Sequence, residues 1–264
     1  MRLSVDHRTR YRFAFPRSRL VQLLRVTPDD NDDQTVTDWD VHVDCDARLR
    51  TGRDGFGNRT VMLYVEGPVA EIELSISGEV LTSDGAGVVH GSVEPLPPAL
   101  YLRATDLTPA EPAIAAFAAD TCRGKQDAIE RLHLLNDAVH RRCAWRDDAD
   151  PLGVVKAFDQ KTGAIADLAQ TFIVAARSLG LPARYVSGYR AASADLATPH
   201  AWAESFVDGL GWVTFDPTTG LSAGEGYIRT AVALDAVGAA ALAGPGLGVA
   251  LKPDIAAGQG AAQD

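Results

Sequence analysis

The chain has 264 residues, 46% of them apolar and 23% charged, which is enough for one large or two modest globular domains. Its formal net charge of -10 argues against a nucleic-acid or anionic-membrane partner, because neutralising phosphates requires clustered Lys and Arg. The three cysteines, Cys45, Cys122 and Cys143, form no C-x-x-C pair, so we predict neither a disulfide framework nor a structural zinc site. A reducing compartment fits these cysteines, so we predict a cytoplasmic location.

The sequence predicts no signal peptide and no membrane span. Residues 1–7 alternate polar and apolar side chains instead of forming a continuous apolar segment. The weakly polar run 231–251 is mostly Ala and Gly, contains Asp235 and is broken by Pro245. A spanning helix needs about 20 strongly apolar residues, which this run does not supply.

Residues 1–90 are predicted to form an all-β, sandwich-like domain. Apolar and polar residues alternate with period two in several short segments between turn signals. The glycines and asparagine of residues 54–58 permit the positive φ of a tight reversal between two strands. The alternating segments are 3–7, 36–43, 61–65 and 71–76.

Helices are predicted after a Pro-rich linker at residues 95–98. Thr108 and Pro109 have the residue types of an N-cap followed by the first helical position. Apolar residues at helical spacing predict helices over 127–143 and 166–179, the second ended by Gly180 and Pro182. Residues 251–264 are predicted to be a frayed tail.

Three motif segments follow the second helix, and we predict that they are strands. They read Gly-Leu-Pro-Ala-Arg-Tyr-Val-Ser-Gly-Tyr over 180–189, His-Ala-Trp-Ala-Glu over 200–204 and Gly-Trp-Val-Thr-Phe-Asp-Pro-Thr over 211–218. A five-residue or bulged connection over 207–211 would put Asp216 on the sheet face of His200, because side chains alternate between faces.

In order and spacing, these segments resemble the bacterial transglutaminase-like, or cysteine-proteinase-like, family, and residues 1–90 resemble the β domain that precedes its core. The resemblance implies an α+β fold, with a papain-like transglutaminase core over 95–250 preceded by the all-β domain. It also implies thiol acyl transfer with His200 as base and Asp216 as its orienter. The family's nucleophile position falls on Ile165, which has no lone pair for attack on a carbonyl.

Further departures surround Ile165. Ala166, Gln170 and Thr171 differ from the family's usual residues at this helix start, whereas Asp167 is retained. Thr162 lies on the wrong side of the turn, and the cysteines of the upstream helices are poor substitutes for the missing thiol. His200 and Asp216 are therefore predicted to be a vestigial dyad.

The leading hypothesis is a catalytically inactive homologue, a pseudoenzyme, that binds a peptide or amide ligand or a protein partner. The alternative is a cysteine-type peptidase, amidase or transglutaminase whose thiol comes from elsewhere, or a water-based hydrolase. A scaffold without a functional cleft is the third. No cofactor or metal is predicted, because the histidines show no metal-ligand spacing. Trp202 and Trp212 are predicted to pack in the core, and Glu204 to pair with an arginine, for which Arg184 is the candidate.

Overall fold

The computed structural model describes residues 1–146, 150–193, 196–243 and the strand 249–250. The predicted tail, 251–264, lies outside the described residues. The helices are α1 (Pro112–Thr121), α2 (Ala128–Arg142), α3 (Val154–Gln160) and α4 (Ile165–Ser178), with a 3-10 helix at Pro98–Leu102. The strands are β1 (Arg2–Leu24), β2 (Gln34–Val43), β3 (Ala47–Arg53), β4 (Arg59–Thr82), β5 (Val88–Val89), β6 (Ala144–Trp145), β7 (Thr162–Gly163), β8 (Ala183–Ala191), β9 (Ala197–Val207), β10 (Gly211–Phe215), β11 (Tyr227–Ala233), β12 (Leu242–Ala243) and β13 (Val249–Ala250).

The first sheet is built on two long antiparallel strands, β1 and β4. They pair from Arg2 opposite Leu81 to Leu24 opposite Val61, with register shifts between Arg12 and Arg19. β2 pairs with one half of β4 and β3 with the other half. Both halves bury alternate residues in a single hydrophobic cluster, which includes Leu3, Val5, Leu20, Leu24, Leu63 and Ile72.

The predicted strands 61–65 and 71–76 belong to one continuous strand, β4, so their separation was wrong. Gly67, which has φ +112°, and Pro68 are turn signals in the sequence. In the structure they lie opposite the register shifts of β1, where the ladder is irregular and tolerates both residues.

The second sheet has the order β11-β8-β9-β10-β5, and α4 covers one of its faces. Phe172 of α4 stacks on Phe215 of β10 with ring centroids 5.0 Å apart, and small residues of β9, Ala201 and Ala203, are buried in the same cluster. The helices α1, α2 and α3 pack against α4. The fold is therefore α+β, with a helical layer against the second sheet.

The predicted start of the first α-helix was wrong by three residues. Glu111 is the N-cap, its side chain accepting the N-H of Ala113, and Pro112 takes the first helical position. The Thr108 hydroxyl instead bonds Thr105 Oγ1 at 2.8 Å and accepts from Arg177 at 2.8 Å. Tertiary partners thus hold Thr108 in a turn before the helix.

The two sheets pack against each other through buried side chains. Tyr189 and Ile228 of the second sheet belong to the cluster of the first sheet. Asn58 donates to Val232 O and accepts from Val232 N, both at 2.8 Å, so the predicted turn over 54–58 also attaches to β11.

Strand pairing crosses the predicted domain limits in both directions. β5 joins the second sheet through β10, whereas β12 and β13 return to β1 of the first sheet. The boundaries 1–90 and 95–250 stay predictions.

Acidification is expected to destabilise the contact between the sheets at His7. Its ring bonds Thr9 Oγ1 at 2.7 Å and Tyr189 Oη at 3.3 Å, and burial lowers the pKa of His7 from 6.5 to about 4 against the opposing charge of Asp6. Between these values the unfolded chain binds a proton that the native chain does not, so the free energy of unfolding should fall by up to about 3 kcal/mol. This contribution is present above pH 6.5 and is lost as pH falls towards 4.

Urea unfolding at several pH values between 7 and 4 measures how the free energy of unfolding changes with pH. A His7→Gln variant should show a flatter dependence across the window, whereas His42→Gln, at an exposed position of β2, should retain the wild-type slope. Equal slopes for wild type and His7→Gln would contradict the assignment.

Candidate functional site

The β9–β10 hairpin places His200 and Asp216 on one face of the second sheet. Gly211 pairs with Val207, which leaves a three-residue turn in which Gly209 takes φ +83°. Phe215 pairs with Ala203, so Asp216 follows opposite Trp202 and shares the parity of His200. The Nε2 atom of His200 donates to Oδ2 of Asp216 at 2.7 Å.

Asp216 is fully buried and saturated with hydrogen bonds. Its Oδ1 accepts from the N and Oγ1 of Thr218 at 2.8 and 2.7 Å, and its Oδ2 accepts from Tyr227 Oη at 2.8 Å. Burial raises the pKa of Asp216, but the bonds and the charge of His200 outweigh it, so the net shift is downward. Asp216 is therefore an ionised acceptor that holds the imidazole in one orientation.

The imidazole of His200 is also held by two aromatic rings. Trp202 stacks with it at a centroid distance of 6.4 Å, and Tyr227 meets it edge-on at 5.9 Å. Among the described residues, Nδ1 of His200 has no hydrogen-bond partner. With Nε2 bonded to a carboxylate, Nδ1 is the atom that can exchange a proton or bond a ligand.

Ile165 is the first residue of α4 and packs against the cluster beneath the second sheet. The retained Asp167 accepts the N-H of Ala164 at 3.0 Å and those of Leu152 and Gly153 at 2.9 Å each. This carboxylate fixes the turn that begins the helix. The start of α4 is thus held by hydrogen bonds, and its first side chain is aliphatic; that this position is the family's thiol position stays a prediction.

Trp145 and Arg190 connect the start of α4 to the dyad. Trp145 pairs with Gly163, two residues before Ile165, and its ring lies 5.9 Å from Cζ of Arg190. Arg190 Nη1 is 3.6 Å from Oδ2 of Asp216. These contacts bring the two halves of the site into one region, whereas direct contact between Ile165 and His200 stays a prediction.

The sequence missed Thr218, Tyr227 and Arg190 as partners of Asp216. Thr218 lies two residues after Asp216, where a hydroxyl that bonds back to the carboxylate could have been inferred. Tyr227 comes from β11 and Arg190 from β8, so no local pattern marks either residue.

Glu204 belongs to a buried ion-pair network, and the predicted pair with Arg184 is confirmed. Both side chains are fully buried, with Arg184 Nε 2.7 Å from Glu204 Oε2. Arg229 pairs with the other oxygen of Glu204 at 2.8 Å, and Glu94 accepts from both Arg184 terminal nitrogens at 2.5 and 2.7 Å. Burial raises the pKa of Glu204, but Arg229 and Arg184 outweigh it and the net shift is downward.

Trp202 and Trp212 are both buried, as expected of core residues. Trp212 carries the Arg184 guanidinium 3.7 Å above its ring centroid. Trp202 also borders the dyad, so it is at once a core residue and a wall of the site.

The cysteines are separate from the contacts of His200. Cys122 and Cys143 are buried, and Cys45 is partly buried in the first sheet. Burial raises the pKa of all three thiols; the nearby Asp44 and Asp46 raise that of Cys45 further. Thiols of this kind are predominantly protonated near neutral pH.

Within the described ranges, no three His, Cys, Asp or Glu side chains are grouped so that they could hold a metal ion.

In the same residues, no helix is both long and apolar enough to span a membrane. His200 and Asp216 form a hydrogen-bonded pair at the second sheet, and the helix packed on that sheet starts at Ile165.

A helix packed on an antiparallel sheet that carries a His–Asp pair defines a papain-like, transglutaminase-like core. Residues 115–217 match the transglutaminase-like superfamily, and residues 3–81 match the bacterial transglutaminase-like N-terminal region. Residues 115–217 therefore belong to the transglutaminase-like superfamily, and residues 3–81 to the N-terminal region of its bacterial members.

Similar proteins extend over nearly the whole chain. The uncharacterized protein ML0607 of Mycobacterium leprae is 27% identical over 273 residues, covering 92% of each chain. The uncharacterized protein Rv2569c of Mycobacterium tuberculosis is 26% identical over 256 residues, covering 86% of this chain and 82% of its own. A solved structure of a candidate cysteine protease from Cytophaga hutchinsonii has a TM-score of 0.77 at 17% identity, covering 96% of this chain and 88% of its own. At that identity the likeness shows a shared fold.

Proposed function

We propose that this protein is a catalytically inactive transglutaminase-like protein that binds a peptide or amide ligand, or a protein partner, beside His200 and Asp216. The observation that carries the proposal is an isoleucine at the start of α4 together with a buried and hydrogen-bonded His–Asp pair.

The absence of a nucleophile supports the inactive half of the proposal. Covalent acyl transfer requires a thiolate whose proton the imidazole holds, and Ile165 has neither a proton to give nor a lone pair. Ala166, Gln170 and Thr171 depart from the family pattern in the same helix. Without the thiol, His200 and Asp216 have no acyl-enzyme to form or resolve.

The polar and aromatic groups around the pair support the binding half. With the Nε2-H of His200 bonded to Asp216, Nδ1 can accept a peptide N-H while the ring is neutral, and it can donate to a peptide C=O when the ring is protonated. Trp145 is 39% exposed, and the Arg190 side chain is 28% exposed. A flat aromatic surface, a cation and a hydrogen-bonding imidazole in one region suit a peptide segment better than they suit a small apolar ligand.

The alternative of a cysteine peptidase, amidase or transglutaminase requires a thiol at His200. The described partners of His200 are Asp216, Trp202 and Tyr227, and burial raises the thiol pKa of Cys122 and Cys143. We favour the inactive protein for this reason. Cytoplasmic location is likewise proposed, from cysteine usage alone.

Wild-type protein is expected to show no iodoacetamide-sensitive hydrolysis or transamidation of peptide and glutamine substrates. The covalent route contributes many orders of magnitude in rate, so its loss leaves turnover near background. Ammonia release, amine incorporation and peptide cleavage measure it, with a thiol transglutaminase as positive control. Turnover that alkylation of the native cysteines abolishes would contradict the proposal.

Binding is tested by selecting peptides from a random display library and measuring Kd for the selected peptide by calorimetry. His200→Ala should weaken binding at least about tenfold, because a buried hydrogen-bonding group is removed from the contact. His42→Ala, in the first sheet, should leave Kd unchanged. A selected peptide that binds both variants equally would place the ligand elsewhere, and failure to select any peptide would favour the scaffold.

A further inference from the structure

A second candidate site lies on the outer face of the first sheet, away from His200. Along the first half of β4, Leu63 and Val65 are buried, so Tyr64 and Glu66 point outward. Arg48 of β3 pairs with Tyr64, and Arg19 of β1 pairs with Glu66, which places both arginines on the same outer face.

These strands enclose a cavity of about 440 Å³ that is rich in charge. Its lining comprises Arg19, Asp46, Ala47, Arg48, Arg50, Tyr64 and Glu66. Three guanidinium groups and two carboxylates leave an excess of one positive charge there, on a chain whose formal net charge is -10. The negative net charge is sufficient to explain solubility, so a local cluster of positive charge on this acidic protein needs a separate explanation.

The arginines of the cavity lack the ion pairs made elsewhere on the same sheet. Along the second half of β4, Glu79 pairs with Arg2 at 2.5 Å and Glu71 with Arg12 at 3.4 Å. In the described part of the chain, Arg19, Arg48 and Arg50 form no salt bridge. Their guanidinium donors are therefore available to a ligand.

We propose that this cavity binds a small molecule carrying two or more oxyanion groups, either carboxylates or phosphates. A guanidinium presents paired N-H donors that match such groups in bidentate fashion, and the Tyr64 hydroxyl adds a further donor. Arg48 and Arg50 are about 7 Å apart along β3, and Arg19 lies about 10 Å away across two strand spacings. A ligand with two separated anionic groups can bond guanidinium groups that extend from backbone positions this far apart.

Asp46 and Glu66 allow a second test, because removing a negative charge should change the affinity for an anion in the opposite direction to removing an arginine. Both carboxylates line the cavity and oppose an anionic ligand, so neutralising one should strengthen binding. A surface that attracts anions only through its general field would respond weakly to such a local change.

Calorimetry with pyrophosphate and with citrate, at fixed ionic strength, tests the site on the full chain. We expect saturable binding of at least one probe, a loss of about tenfold or more in affinity for Arg48→Ala and Arg50→Ala, and tighter binding by Glu66→Gln by about threefold. Citrate alone would indicate a carboxylate ligand, and pyrophosphate alone a phosphate ligand.

Arg12→Ala is the matched control, because it removes an arginine from the same outer face of the sheet but outside the cavity, on the strand that carries Arg19. Its affinity should equal that of the wild type. Thermal unfolding establishes that each variant is folded. The proposal is overturned by the absence of saturable binding to wild-type protein, or by equal losses for Arg12→Ala and Arg48→Ala.

Discussion

An Ile165→Cys variant is expected to react with an electrophilic thiol probe faster than an ordinary surface cysteine. The substitution places sulfur on the first residue of α4, where the helix dipole and Nδ1 of a nearby imidazole should lower the thiol pKa. A fall of the thiol pKa from roughly 8.5 to about 7 raises the thiolate fraction at pH 7 by about 16-fold. Replacing the packed isoleucine should cost about 1 to 2 kcal/mol of stability.

Site-resolved mass spectrometry separates this label from those on the three native cysteines. Val237→Cys, at a turn position that is 67% exposed, supplies the ordinary surface thiol for comparison. Adding His200→Ala to Ile165→Cys should lower the rate towards that reference. We expect labelling rather than turnover, because Ala166, Gln170 and Thr171 still differ from the family pattern. A folded Ile165→Cys protein that labels no faster than Val237→Cys, with or without His200, would show that the site has lost more than one sulfur atom.

Arg184→Ala is expected to cost about 3 to 5 kcal/mol of unfolding free energy, because it leaves buried carboxylates without their principal cation. Arg184 and Glu204 are both fully buried, and the guanidinium also lies 3.7 Å from the ring centroid of Trp212. Urea unfolding of the purified variant measures the loss. Lys125→Ala breaks an exposed pair with Glu130 and should cost about 1 kcal/mol or less. Equal losses of unfolding free energy for Arg184→Ala and Lys125→Ala would contradict the prediction that the buried network contributes more than an exposed ion pair.

The same network predicts a pH dependence at the acidic end. Because the pKa of Glu204 is lowered from 4.5 in the folded chain, its contribution to stability is present above that value. The contribution is lost as pH falls through the lower folded value. We therefore compare, for each protein, the fall in the free energy of unfolding between pH 7 and a pH below 4.5. This fall should be smaller for the Glu204→Gln variant than for the wild type.

Local patterns predicted the elements whose signals lie within a few residues. The helix over 127–143 is α2, which Asp127 caps by accepting the N-H of Glu130 at 2.8 Å. The helix over 166–179 is α4 within one residue at each end. Apolar spacing and caps act over one or two turns, so these signals remain valid in any tertiary context.

Prediction from local sequence patterns was wrong where long-range contacts determine the structure. Gly67 and Pro68 predicted a break where β4 continues, and Thr108 predicted a cap where Arg177 holds a turn. Arg184 and Glu94 are 90 residues apart, so the second carboxylate of the network had no local signal. Partners of this kind converge only when the sheets assemble.

The sequence by itself determined the family, the order of the motif strands and the isoleucine at the helix start, whereas the parity that sets Asp216 beside His200 depended on the length of the turn. Each follows from residue types at short spacing or from the two-residue period of a strand. Only the tertiary structure decided that Tyr227 and Arg190 complete the surroundings of Asp216, and that β5, β12 and β13 exchange between the two sheets. Those contacts join segments distant along the chain, and burial of the shared core, which no local pattern encodes, brings them together.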